Sequence, residues 1–199
     1  GVTSNPSIFM NAIANSSDYD ESLKPLSDPA LSAEEVFFRL AIEDIQAAAD
    51  LFLPLYQGSG GADGYVSLEV SPFLADKSAE TLAQAEALWQ RVKRPNLMIK
   101  IPATKAGLPA IQAAIAKGIN VNVTLIFSRE RYSAVMEAYL SGLEARAEAG
   151  LPLERIASVA SFFISRVDSH IDPRLQAIGT TDALALAGQA AVANARLAY

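Results

Sequence analysis

The chain contains no cysteine and only one histidine, His170, among its 199 residues. The first absence excludes thiol catalysis, disulfides and thiolate metal sites, and the second excludes any multi-histidine metal centre. Charge is sparse as well: 19% of residues are charged, and acids outnumber bases 22 to 16, for a net charge of −6. That balance argues against nucleic acid or an anionic membrane surface as a partner. It leaves room for a phosphorylated small molecule, because one or two placed arginines can bind phosphate inside an acidic protein. No run is apolar for long enough to span a bilayer, and no charged-then-apolar signal pattern opens the chain. The expected setting is cytoplasmic. With 51% hydrophobic residues and no linker or low-complexity stretch, residues 1–199 read as a single domain with a substantial core.

What is present is an alternation of short strands and longer amphipathic helices. After Gly1-Val2-Thr3-Ser4-Asn5-Pro6, a segment rich in Asn, Ser and Asp reads as a loop. It leads to Ser32-Ala33-Glu34-Glu35, where Ser32 and Glu35 have capping-box spacing. The helix that follows is expected to reach about Leu53, with Gly58 to Gly64 turning the chain into a strand over Tyr65 to Val70. A second helix covers roughly Lys77 to Val92 and hands over to a strand within Asn96 to Thr104. A third lies near Leu108 to Lys117, with Gly118 as its stop signal. A strand from Ile119 to Phe127 comes next, and Ser128 caps a helix reaching about Glu148. Ile156 to Phe163 reads as the last strand, before a short helix and an Ala-rich one from Asp182 to Ala198.

Strands separated by helices imply an α/β fold with parallel pairing through right-handed crossovers. Two layouts compete, an open doubly wound sheet and a (β/α)8 TIM barrel. Ser67, Glu69 and Ser71 share one strand face, as do Asn120, Asn122 and Thr124, with Ser161 and Phe163 on a third. An open sheet covered on both sides needs two apolar faces. A repeated polar face near the carboxyl ends of strands fits the inner mouth of a barrel, where active sites are built. The barrel is therefore expected. Four strands and a stub at Val2–Thr3 are too few to close it.

Lys100 lies in Asn96-Leu97-Met98-Ile99-Lys100-Ile101-Pro102-Ala103-Thr104. Leu97, Ile99 and Ile101 recur with period two and leave Lys100 on the opposite face with Met98. A lysine in so apolar a segment either snorkels to water, pairs with a carboxylate, or serves as a desolvated amine nucleophile toward a carbonyl. The residues of this strand do not choose among these. Gly58-Ser59-Gly60-Gly61 follows a helix and precedes a strand, so it is read as a loop at the barrel bottom. His170 is read as a surface residue, and Trp89 as a packing residue on a helix.

Further motifs do choose. Gly1 to Phe9, Val66 to Val70, Asn96 to Thr104, Gly118 to Ser128 and Ser161 to Asp168 occur in order, each at the end of an expected strand. Together they resemble transaldolase, a Schiff-base enzyme of the class I aldolase superfamily, over nearly the whole chain. The resemblance implies that Lys100 attacks the C2 carbonyl of a ketose phosphate, with Glu69 and Thr124 positioning the water used in making and hydrolysing the imine. Asn5 and Asn122 would hydrogen-bond the dihydroxyacetone portion, Ser161 a substrate hydroxyl, and Phe163 would wall the pocket. Arg166 resembles the phosphate-binding arginine. These have structural alternatives: an ion pair for Glu69, an Asx turn for Asn5, a polar layer for Asn122 and Thr124, packing for Phe163, and capping of a short helix or pairing with Asp168 for Arg166.

The resemblance further implies transfer of a dihydroxyacetone unit between sugar phosphates in the pentose phosphate pathway, with no metal and no organic cofactor. Homo-oligomers, and fusion to a glucose-6-phosphate isomerase domain in the parent chain, are compatible with it. The same lysine also serves fructose-6-phosphate aldolase-type chemistry, and a non-catalytic sugar-phosphate-binding barrel fragment is a rival of another class. In the family a carboxylate on the first strand moves the substrate's hydroxyl proton. That strand would precede Gly1, and the closing strands would follow Tyr199. The chain is therefore expected to be a partial barrel of about strands two to six, inactive by itself in carbon–carbon cleavage.

Overall fold

Five β-strands pair side by side in the order in which the chain makes them, every neighbour parallel. They are β1 (Val2–Thr3), β2 (Val66–Glu69), β3 (Leu97–Pro102), β4 (Val121–Ile126) and β5 (Ser158–Phe162). The computed structural model that shows this describes residues 1–199. A doubly wound sheet reverses its strand order at a switch point. This one never does, so it follows the path of a barrel wall, with β1 and β5 as its two edges.

Helices make the crossovers. They are α1 (Pro6–Asn15), α2 (Asp20–Leu23) and α3 (Ala33–Gly58) between β1 and β2, α4 (Ser78–Val92), α5 (Gly107–Ala116) and α6 (Arg129–Glu148) between later strands, then α7 (Ser165–Ile178), α8 (Thr181–Ala185) and α9 (Ala190–Ala198). One strand face packs on the helices. Val66, Leu68, Ile99, Ile101, Val121 and Val123 are essentially inaccessible and form one core with Ile45 and Ala49 of α3, Leu88 and Val92 of α4, and Ile111 and Ile115 of α5. Burying each large aliphatic side chain contributes about 1.5–3 kcal/mol, so this face holds most of the fold's stability. Gly142 lets α6 lie directly on α5: a Cβ there would stand 2.6 Å from the Gln112 carbonyl oxygen.

The structure corrects several expectations. The segment after Pro6 is helical rather than a loop, since Asn5 caps α1 and Pro6 is preorganised for its first turn. Helix α3 runs past Leu53 through Pro54 to Gly58, where the buried Tyr56 anchors the last turn. Only half of the capping box forms. Ser32 Oγ accepts from the Glu35 amide at 3.1 Å, but the Glu35 carboxylate turns to Arg39 and Arg91 instead. The expected C-terminal helix is two, α8 and α9, because Gly188 adopts φ +72 between them, a left-handed conformation that a continuous helix does not contain.

The alternation in β4 also breaks. Strict period two would place Leu125 with Val121 and Val123, yet it is Ile126 that joins the helix-side core. Val123 pairs with Ala160 and Ile126 with Phe162, so Thr124 and Leu125 together oppose the single residue Ser161. This is a β-bulge, and Leu125 takes φ +61 to make it.

Candidate active site

Apolar residues on the helix side of β2, β3 and β4 force their alternate residues to the concave side, and apart from Met98 and Pro102 those are polar. Register aligns Glu69 with Lys100 and Lys100 with Asn122, so three candidate residues form one row across three adjacent strands. Thr124 follows two residues beyond Asn122 on the same face, opposite Pro102 of β3.

Lys100 is buried, at 7% exposure. Its Nζ donates to the Ser4 carbonyl at 3.2 Å and stands 3.2 Å from Glu69 Oε2. The lysine therefore pairs with a carboxylate rather than snorkelling, and the pair lies largely out of water. A second set of contacts crosses the same face. Ser161 Oγ donates to Asn122 Oδ1 at 2.8 Å, and Asn122 Nδ2 donates to Ser67 Oγ at 3.0 Å. Asn122 and Thr124 are at 4% and 1% exposure, so with Lys100 they are interior, while Glu69 and Ser161 are partly buried.

Asn5 takes the local role that its sequence also allowed. Its side-chain oxygen accepts from the Ile8 amide at 2.9 Å and caps α1. The residue nevertheless borders the site, because the neighbouring Ser4 carbonyl holds Lys100. Phe163 and Arg166 form a separate group. The Arg166 guanidinium lies 4.7 Å from the Phe163 ring centroid, and Phe163 packs edge-on against Phe127. Arg166 is exposed on the first turn of α7. Asp168, considered as its ion-pair partner, instead accepts from the Ala191 amide at the start of α9. The structure thus brings Lys100, Glu69, Asn122, Thr124 and Ser161 together on one face, leaves Asn5 at their margin, and stacks Arg166 on Phe163.

Two residues not singled out from sequence belong to this geometry. Ser4 supplies the carbonyl that accepts from Lys100, and its hydroxyl donates to the Ser67 carbonyl at 2.7 Å. Ser67 is tied from both ends, by Ser4 on its backbone and Asn122 on its side chain. Its place on the face of Glu69 was a usable signal, whereas nothing local marks the Ser4 carbonyl. Asn120, on the expected polar face, is spent on backbone, donating to the Leu97 carbonyl and accepting from the Ala157 amide. The Gly58–Gly64 loop lies at the opposite, amino-terminal side of β2, and His170 is exposed beside Arg174. No group of three or more acidic or histidine side chains is placed to hold a metal ion, and no helix is long and apolar enough to cross a membrane.

A buried lysine beside one carboxylate, with amides and hydroxyls on the same face, is an arrangement that can form and hydrolyse an imine. Comparison with known proteins points the same way. A family described as Transaldolase/Fructose-6-phosphate aldolase matches residues 1–199. The chain is 57% identical to a transaldolase of Thermobifida fusca, 56% to transaldolase 1 of Streptomyces coelicolor and 54% to a transaldolase of Mycobacterium ulcerans. All of this chain is covered in each case, against 54%, 52% and 53% of the relative. The chain therefore spans about half the length of the curated relatives it matches. With the full chain matched and identity this high, the protein belongs to the transaldolase/fructose-6-phosphate aldolase family.

Proposed function

We propose that the protein carrying this chain is a transaldolase, moving a dihydroxyacetone unit from a ketose phosphate to an aldose phosphate through a Schiff base on Lys100. The observation that carries this reading is the Lys100–Glu69 pair, 3.2 Å apart on the concave face. An ammonium must lose a proton before it can attack, and Glu69 is within reach to take it directly or through one water. The free amine then adds to the C2 carbonyl, and loss of water leaves an iminium. Cleavage of the C3–C4 bond sends its electron pair into that iminium, which is why no separate electron sink is required. The resulting enamine adds to the acceptor aldehyde, and water releases the product. Thr124 and Glu69 are assigned to positioning that water, Asn122 and Asn5 to the hydroxyls of the three-carbon unit, and Ser161 to a further hydroxyl. Phe163 is assigned to the pocket wall and Arg166 to the phosphate. No residue of this chain is assigned the proton of the C4 hydroxyl. Sedoheptulose 7-phosphate and fructose 6-phosphate are the proposed donors, in the cytoplasmic pentose phosphate pathway.

The test is chemical trapping. Incubation with fructose 6-phosphate and borohydride should add the sugar mass, or that of its dihydroxyacetone fragment, to the peptide containing Lys100 and to no other. Lys100→Ala should abolish the adduct. An adduct elsewhere, or none in folded protein, would sink the Schiff-base assignment and favour a non-catalytic barrel. The family description also names fructose-6-phosphate aldolase, and release of free dihydroxyacetone without an acceptor aldehyde would identify that activity.

A further inference from the structure

Asn122 is held at both ends of its amide. Its oxygen accepts from Ser161 on β5, and its nitrogen donates to Ser67 on β2. The second contact is unusual in reach. β2 and β4 are not neighbours, since β3 lies between them. Strands sit about 4.8 Å apart, so two spacings on a flat sheet are about 10 Å, well beyond a hydrogen bond between short side chains without inward curl. The curl of the sheet brings Ser67 Oγ and Asn122 Nδ2 to 3.0 Å, over the face of β3 that carries Met98 and Lys100. Ser67 is at 3% exposure, and its own backbone carbonyl is fastened by the Ser4 hydroxyl.

We infer that Ser67 is a positioning residue that acts through Asn122, fixing the amide plane against which the three-carbon part of the sugar is bound. The inference rests on the Schiff-base reading above. Ser161 alone holds the amide oxygen and leaves the side chain free to rotate about its last torsion, which for an amide is broad and weakly restrained. Ser67 removes that freedom. The remaining N–H of Asn122 is then presented to a substrate hydroxyl in one direction, so its ordering entropy is spent in folding rather than in binding.

The experiment measures the rate of borohydride-trapped adduct at Lys100 against fructose 6-phosphate concentration in the full chain. Five proteins are compared: the parent, Ser67→Ala, Ser67→Thr, Asn122→Ala and the variant with both alanines. Ser67→Ala should raise the half-saturating sugar concentration about tenfold, the equivalent of one well-placed hydrogen bond, and leave the plateau unchanged. A merely structural loss would lower the plateau, because less protein is folded, and leave half-saturation where it was. In the Asn122→Ala background, Ser67→Ala should have no further effect. Ser67→Thr, which keeps the hydroxyl, should restore most of the affinity. Half-saturation unchanged in Ser67→Ala, or an equal shift with and without Asn122, overturns the inference while leaving the Schiff base intact. Absence of the parent adduct overturns both.

Discussion

Within residues 1–199, β2 to β4 and the region from β5 onward differ in burial. In the first, both faces are closed: Val66, Ile99, Ile101, Val121 and Val123 seal the helix side, and Ser67, Met98, Lys100, Asn122 and Thr124 are buried on the concave side. In the second, Val159 of the edge strand is 45% exposed, α7 buries no residue, and Leu197 near the chain end is 65% exposed. The candidate site straddles this divide. The row of Lys100 and Asn122 lies where both strand faces are packed, and the stacked pair Phe163 and Arg166 lies where they are not.

The largest expected effect tests that contrast directly. Ile99→Ala should destabilise the fold by about 3 kcal/mol, through lost burial and the cavity left against the helices. Val159→Ala should stay within about 0.5 kcal/mol. Denaturant midpoints of the two variants would measure the difference, and equal losses would show that β5 is as well packed as β3. A smaller effect is expected in the C-terminal region. Gly188→Ala has open space around the new methyl but forces a left-handed conformation at φ +72, costing roughly 1 kcal/mol. Thermal unfolding followed by local hydrogen exchange should show that cost falling on α8 and α9 and sparing β2 to β4.

The smallest effect concerns the outer layer of the well-packed region. The Arg39 guanidinium donates to Glu35 and, with Arg91 adding its charge, holds the carboxyl below its ordinary range against the opposing cost of burial. A carboxyl whose folded-state pKa is lowered contributes stability that is present above its unfolded value and is lost as pH falls through the folded one. The pair is more than a third exposed on the Glu35 side, so solvent limits its worth to about 0.5 kcal/mol. Stability measured against pH should separate the parent from Glu35→Gln at neutral pH and bring the two together in acid.

Much of the site was legible as alternation. Leu97, Ile99 and Ile101 declared one face of β3 and so assigned Lys100 to the other, and the same reasoning oriented Glu69, Asn122 and Ser161. It failed where the backbone departs from period two. The bulge at Leu125 moved Ile126 into the core, a change that two or three residues of hydrophobic pattern do not encode. It also failed for the helix at Pro6–Asn15, which Asn5 as cap and Pro6 in the first turn begin. The single C-terminal helix and the end of α3 near Leu53 were lost for a shared reason. Each boundary was settled by a packing contact or a backbone conformation rather than by composition.

By itself the sequence determined which chemistry is available, with no thiol, no multi-histidine centre and one lysine in an apolar strand, and on which face of each strand that chemistry lies. Those are properties of residue type and of the local two-residue repeat. Only the tertiary structure decided what touches what: the Lys100–Glu69 pair, the Ser4 carbonyl at the lysine, and the reach of Asn122 across β3 to Ser67. Such contacts depend on strand register and on the curl imposed by packing helices on one face, and both are set by residues far apart in the chain.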